Sequence, residues 1–153
     1  MKRNLVILFL MLLITSSFSG AIHANGIPDS VPKPKVYVNN EKLDSETFIS
    51  YAGVAMVPFR DIFARYNMEV NWDDAKKTVT ASSKDGSTVI KLTQGSNDGY
   101  VNNKKFNLSQ SPALVNGVFY VNLRFISESI GAKVKYDKPS LTIHITLPKA
   151  AKE

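Results

Sequence analysis

The chain has no cysteine at all, and only two histidines and one tryptophan in 153 residues. The missing thiols exclude a disulfide framework, a thiolate metal centre and the lipidated cysteine that anchors a bacterial lipoprotein. They are compatible with export from a Gram-positive bacterium. Of the two histidines, His23 falls in a leader described below, and His144 stands alone between Ile143 and Ile145 on an alternating apolar stretch. A serine hydrolase needs a histidine base, and no Gly-x-Ser-x-Gly turn precedes His144. No His/Glu cluster has metal-ligand spacing. The residues therefore point to no catalytic group, no metal and no cofactor.

Acidic residues are in the minority, 13 against 19 lysines and arginines, for a net charge of +6. Lys2 and Arg3 contribute two of these, so removing the leader leaves 6 − 2 = +4. The remaining lysines are scattered over turns and strand faces, where they solvate the surface and guard sheet edges. Attraction to an anionic wall polymer is the other reading of that charge. The chain has no dense basic stripe, which argues against nucleic acid.

Residues 1–24 have the order of a secretory signal peptide. A basic start at Lys2-Arg3 precedes an unbroken apolar run from Leu5 to Ile14, and small residues follow as far as Ala21. Ser19-Gly20-Ala21 fits a small-x-small cleavage site, with Ala24 as a second candidate. The run is shorter than the roughly 20 apolar residues of a membrane helix, so no transmembrane anchor is expected after cleavage. Residues 25–35 hold three prolines and a glycine and read as an extended leader. Residues 148–153 read as a charged tail.

Residues 36–147 state one pattern twice, over about 36–81 and 99–146. Val54-Ala55-Met56-Val57-Pro58-Phe59-Arg60 is echoed by Val118-Phe119-Tyr120-Val121-Asn122-Leu123-Arg124, and Val70-Asn71-Trp72-Asp73 by Val134-Lys135-Tyr136-Asp137, each 64 residues on. Tyr37-Val38-Asn39-Asn40 matches Tyr100-Val101-Asn102-Asn103 at an offset of 63. Paired asparagines between apolar stretches predict tight hairpins, because asparagine tolerates positive φ. Phe59, Ile62, Phe63 and Tyr66 fall on one face of a short helix opened by Pro58 and ended at Asn67. In the second copy Asn122 caps, Leu123, Ile126 and Ile130 form the stripe, and Gly131 stops it. A hairpin follows each helix. The pattern predicts an α+β fold: two tandem hairpin/short-helix/hairpin units forming one antiparallel-sheet domain with two short helices. One copy alone would bury too little surface to be stable, so the copies should share a core.

This repeated pattern closely resembles the copper amine oxidase-like N-terminal, or stalk, domain of secreted bacterial proteins. The resemblance rests on Met56-Val57-Pro58-Phe59-Arg60, Val70-Asn71-Trp72-Asp73 and Thr78-Val79-Thr80, and on Ile130-Gly131-Ala132 with Val134-Lys135-Tyr136-Asp137 in the second copy. Asn67 stands where the family has glycine, and Pro58 has no counterpart in the second copy. The resemblance implies an extracellular or wall-associated accessory module. The chemistry of the oxidases needs three histidines and a quinone-forming tyrosine, a set this chain lacks.

Arg60 and Arg124 each sit in the first turn of a helix, where the dipole disfavours a cation. A neighbouring carbonyl or carboxylate, such as Asp73 or Asp137, is the expected partner; an anion-binding role is the alternative. Asp73-Asp74 and Asp137 read as turn openers rather than as a carboxylate pair or calcium site. Trp72 and Tyr136 occupy equivalent alternating sites and are expected in the core. Tyr37, Asn39, Tyr100 and Asn102, at the hairpin tips, are the candidate ligand contacts, since aromatic faces beside amides suit sugar rings. Two functions follow as expectations. One is a non-catalytic secreted module on a cell-wall polymer or extracellular protein; the other is an accessory or inhibitory partner of an extracellular enzyme.

Overall fold

A computed structural model describes residues 26–148; the predicted signal segment, its cleavage site and nearly all of the charged tail lie outside it. Thirteen strands and two seven-residue helices follow one another among the described residues, confirming the α+β class. The first copy supplies β1 (Lys35–Val38), β2 (Glu41–Lys42), β3 (Phe48–Ile49), β4 (Ala55–Pro58), α1 (Phe59–Arg65), β5 (Met68–Asp73) and β6 (Thr78–Ser83). Strand β7 (Val89–Thr93) lies between the copies. The second copy supplies β8 (Asp98–Val101), β9 (Lys104–Asn107), β10 (Ala113–Val115), β11 (Val118–Asn122), α2 (Leu123–Ser129), β12 (Lys133–Asp137) and β13 (Thr142–Thr146).

The strands form three sheets, not the single antiparallel one that the pattern predicted, and each sheet mixes the copies. The central sheet runs β10-β11-β4-β3, with Val121 directly opposite Val57. These two valines are equivalent positions of the repeat, so a pseudo-two-fold axis passes between them. One outer sheet runs β12-β13-β1-β2 and joins the last hairpin of copy two to the first of copy one. Its β1–β13 pairing is parallel. The other runs β5-β6-β7-β8-β9 and joins the last hairpin of copy one to the first of copy two. Here β7 is inserted between the two hairpins, so every pairing is antiparallel. A pattern of apolar alternation fixes strands, but it does not say which copy a strand pairs with.

Local chemistry matches this plan. Asn39 and Asn40 take φ of 48° and 68°, and Asn102 and Asn103 take 49° and 64°, the left-handed pairs a two-residue hairpin needs. Asn67 and Gly131 take φ of 55° and 74° and end the helices. Pro58 closes β4 as the N-cap residue of α1, with an extended ψ of 127°, one place ahead of the opening turn. The Asn122 side chain accepts a hydrogen bond from Phe125 N at 3.1 Å, capping α2.

Phe63, Ile62, Val57 and Val79 from copy one and Val121, Ile126 and Ile145 from copy two lie in one continuous buried cluster. The shared core predicted from the size of one copy is what the chain builds. The proline-rich segment before β1 packs onto this body. Ile27 is buried with Met56 and Tyr120, and Ile49 N donates to Pro32 O at 2.8 Å.

Candidate functional site

The pseudo-two-fold symmetry creates two clefts. Each is walled on one side by the start of a helix and the strand after it, and on the other by the Gly-containing turn of the opposite copy. The first, of about 310 Å³, has Arg124, Phe125, Glu128 and Tyr136 facing Gly53, Val54 and Ala55. Leu123, Leu108, Val134 and Ile143 form its apolar floor, and Asn107 and Ser109 add polar groups. The second, of about 220 Å³, has Arg60, Trp72, Asp74 and Lys77 facing Gly117 and Phe119. Arg124 answers to Arg60, Tyr136 to Trp72, Gly53 to Gly117 and Ala55 to Phe119.

The last of these differences sets the two clefts apart. Phe119 completes an aromatic trio, its ring tilted against Trp72 at 4.9 Å and edge-on to Phe59 at 5.6 Å. Trp72 is held half-buried, its Nε1 donating to Asp74 at 3.3 Å. Ala55 offers no such ring, and Tyr136 is left 39% exposed at the mouth of the larger cleft. The placement of Tyr136 in the core is therefore corrected. An alternating strand position is buried only when something covers it, and the covering residue belongs to the other copy.

The arginines are corrected as well. Among the described residues neither Arg60 nor Arg124 forms an ion pair or a side-chain hydrogen bond; Arg60 lies over the Phe59 ring at 4.9 Å. The carboxylates proposed for them are engaged locally. Asp73 accepts from Lys76 N at 3.0 Å, and the hydrogen bonds from Lys76 hold its carboxyl below the ordinary range. Asp137 accepts from Ser140 Oγ at 2.6 Å. Both are closing turns.

The hairpin candidates do not assemble into a site, and none of Tyr37, Asn39, Tyr100 and Asn102 lines either cleft. Asn39 Oδ1 accepts from Leu147 N at 2.9 Å, and Asn102 Oδ1 accepts from Val89 N at 2.7 Å while its Nδ2 donates to Ser87 O at 2.8 Å. These amides tie each hairpin to the strand beside it. Tyr37 stacks on His144 with centroids 5.3 Å apart, which places the lone histidine on an exposed strand face; Tyr100 is half-buried on β8.

Sequence reasoning missed Phe125, Glu128, Asn107 and Leu108. A signal existed for Phe125, an aromatic lying off the apolar stripe of α2. It packs edge-on against Phe106 at 6.0 Å, and the backbone of Gly99 runs beneath it. A Cβ at Gly99 would come within 2.9 Å of Leu108 and 3.0 Å of Phe125, so glycine there lets both side chains settle into the cleft wall.

Among the described residues the chain is an interlocked duplicate with two cross-copy clefts. A family model described as the copper amine oxidase N-terminal domain matches residues 37–145, and the chain belongs to that family. No curated protein matches it. The domain of that name is a non-catalytic one.

Proposed function

We propose that this chain is a secreted, non-catalytic accessory module that attaches to a polymer of the bacterial cell wall. The leading 24 residues support export. The observation that carries binding is the larger cleft, with its apolar floor, an exposed aromatic and an arginine that has no partner among the described residues. A few polar groups over an apolar concavity are the ordinary make-up of a ligand site. The surplus of basic residues favours an anionic surface such as teichoic acid. Sedimentation of the secreted chain with purified peptidoglycan and with wall teichoic acid, at low salt, tests the proposal. Co-sedimentation with one of them is expected, and failure with both removes the reading.

A second reading is an accessory or inhibitory partner of an extracellular enzyme. Leu114 and Val118, 47% and 40% exposed, favour it, since they leave apolar side chains on the two faces of the β10–β11 tip, Leu114 lining the smaller cleft. Polymer binding unaffected by charging that tip (Leu114→Glu) separates the two.

A further inference from the structure

We infer that the larger cleft is a monosaccharide-sized site for a carboxylate-bearing sugar, and that the smaller cleft is the equivalent site with its aromatic ring occupied by Phe119. The inference rests on the wall-polymer reading and gives it a place and a ligand chemistry.

The two clefts are built by equivalent elements, so their differences identify what each can do. In the smaller one Phe119 stands against Trp72, and Lys77 is paired with Asp74 at 2.8 Å. The aromatic face that a ligand would use is already covered by protein. In the larger one Ala55 leaves the Tyr136 ring uncovered, and Arg124, Glu128 and Asn107 take part in no side-chain hydrogen bond among the described residues. That set combines a cationic donor, an anionic acceptor and an amide that does both. Sugars present this mixture of hydroxyl donors and acceptors around a ring whose C–H face packs on an aromatic. An apolar peptide side chain would use the floor and leave the three polar groups without partners.

Charge narrows the class further. Among the described residues Arg124 is the one cation lining the cleft, and its planar guanidinium matches a carboxylate bidentately. Glu128, one helical turn away, disfavours a second negative charge on the ligand. The site therefore fits one carboxylate on one ring, the chemistry of an amino sugar with a lactyl acid or of a uronic acid.

The test is an NMR titration of the ¹⁵N-labelled secreted chain with three soluble probes. These are the N-acetylglucosamine–N-acetylmuramic acid disaccharide, a glucuronic acid disaccharide, and neutral N,N′-diacetylchitobiose. Either acidic probe should shift the amides of Ala55, Arg124 and Tyr136 and leave the Trp72 indole N–H in place. Whichever acid sugar binds more tightly names the polymer, glycan strands whose lactyl carboxyl carries no stem peptide or a uronic acid chain. The neutral probe should bind about tenfold more weakly or worse, the loss expected for one charge-assisted contact, and Arg124→Gln should weaken the acidic probe equally. Ala55→Phe copies the residue that the opposite cleft already accommodates, so it should block binding while the melting temperature holds. If Ala55→Phe does not fold, Arg124→Gln and the neutral sugar still decide. Shifts elsewhere, equal binding of the neutral sugar, or full binding by Ala55→Phe would overturn the inference. Wild type and Ala55→Phe sedimenting equally with wall would sink the cleft and leave the wall reading intact. Probe binding in the cleft without sedimentation would do the reverse.

Discussion

Tyr66 Oη donates to Ser127 Oγ across 2.6 Å of buried space, joining the end of α1 to the middle of α2. Ser127 passes the interaction on, donating to Leu123 O at 2.7 Å. In the repeat these residues answer to Ile130 and Phe63, so the pseudo-symmetric place is apolar. One polar pair thus replaces an apolar one where the two copies meet. Removing the acceptor should cost more than removing the donor. Ser127→Ala leaves the buried tyrosine hydroxyl without a partner, at about 1–3 kcal/mol, whereas Tyr66→Phe forfeits a hydrogen bond worth about 0.5–1.5 kcal/mol. Urea titrations of both variants check the order, and a larger loss for Tyr66→Phe would contradict it.

Stability should fall at alkaline pH partly through the same residue. Burial pushes the Tyr66 phenol well above its usual 10.0, with the Ser127 hydrogen bond opposing. A raised value means that the unfolded chain releases this proton first. The contribution is complete below pH 10.0 and is lost as pH climbs beyond it. Denaturation midpoints measured from pH 8 to pH 11 should decline more steeply in the wild type than in Tyr66→Phe.

On the acid side, Asp85 carries the opposite sign. Its carboxyl is held down to about 2 by the Ser83 hydroxyl first, then by Ser87 N–H and Oγ. The stability it adds is present above the ordinary 3.8 and disappears as pH falls toward about 2. Asp85→Asn should flatten that part of the acid limb, read by the same denaturation series.

Arg124→Ala should leave stability within about 0.5 kcal/mol of wild type, because it removes a surface side chain that has no partner among the described residues. Thermal melting checks this directly. A drop of several degrees would restore a structural role to the arginine.

Gly99→Ala should cost about 1–3 kcal/mol by overpacking against Leu108 and Phe125. Its effect should be local to the larger cleft. Amide shifts around Arg124 and Tyr136 should move, and those around Arg60 and Trp72 should not.

Much of the fold was legible. Strands, helices and the stopping residues Asn67 and Gly131 follow from alternation, helical spacing and positive φ, all of which are local. Partnership across the copies was not. Whether β1 meets β13, whether β7 enters between two hairpins, and whether Tyr136 is covered are decided by residues dozens of positions away. The site suffered for the same reason. Asn39 and Asn102 looked available because their partners lie far along the chain, Leu147 just past β13 and Val89 on β7. Ala55 carried no visible signal, although its small size opens the cleft.

The central claim is that the two copies interlock into one cooperative body. Native-state hydrogen exchange tests it most directly, by comparing the slowest amides of β5–β6 from copy one with those of β12–β13 from copy two. Opening free energies that agree with each other and with global unfolding are predicted. One copy opening more than about 1 kcal/mol below the other, as an independent unit, would contradict the account.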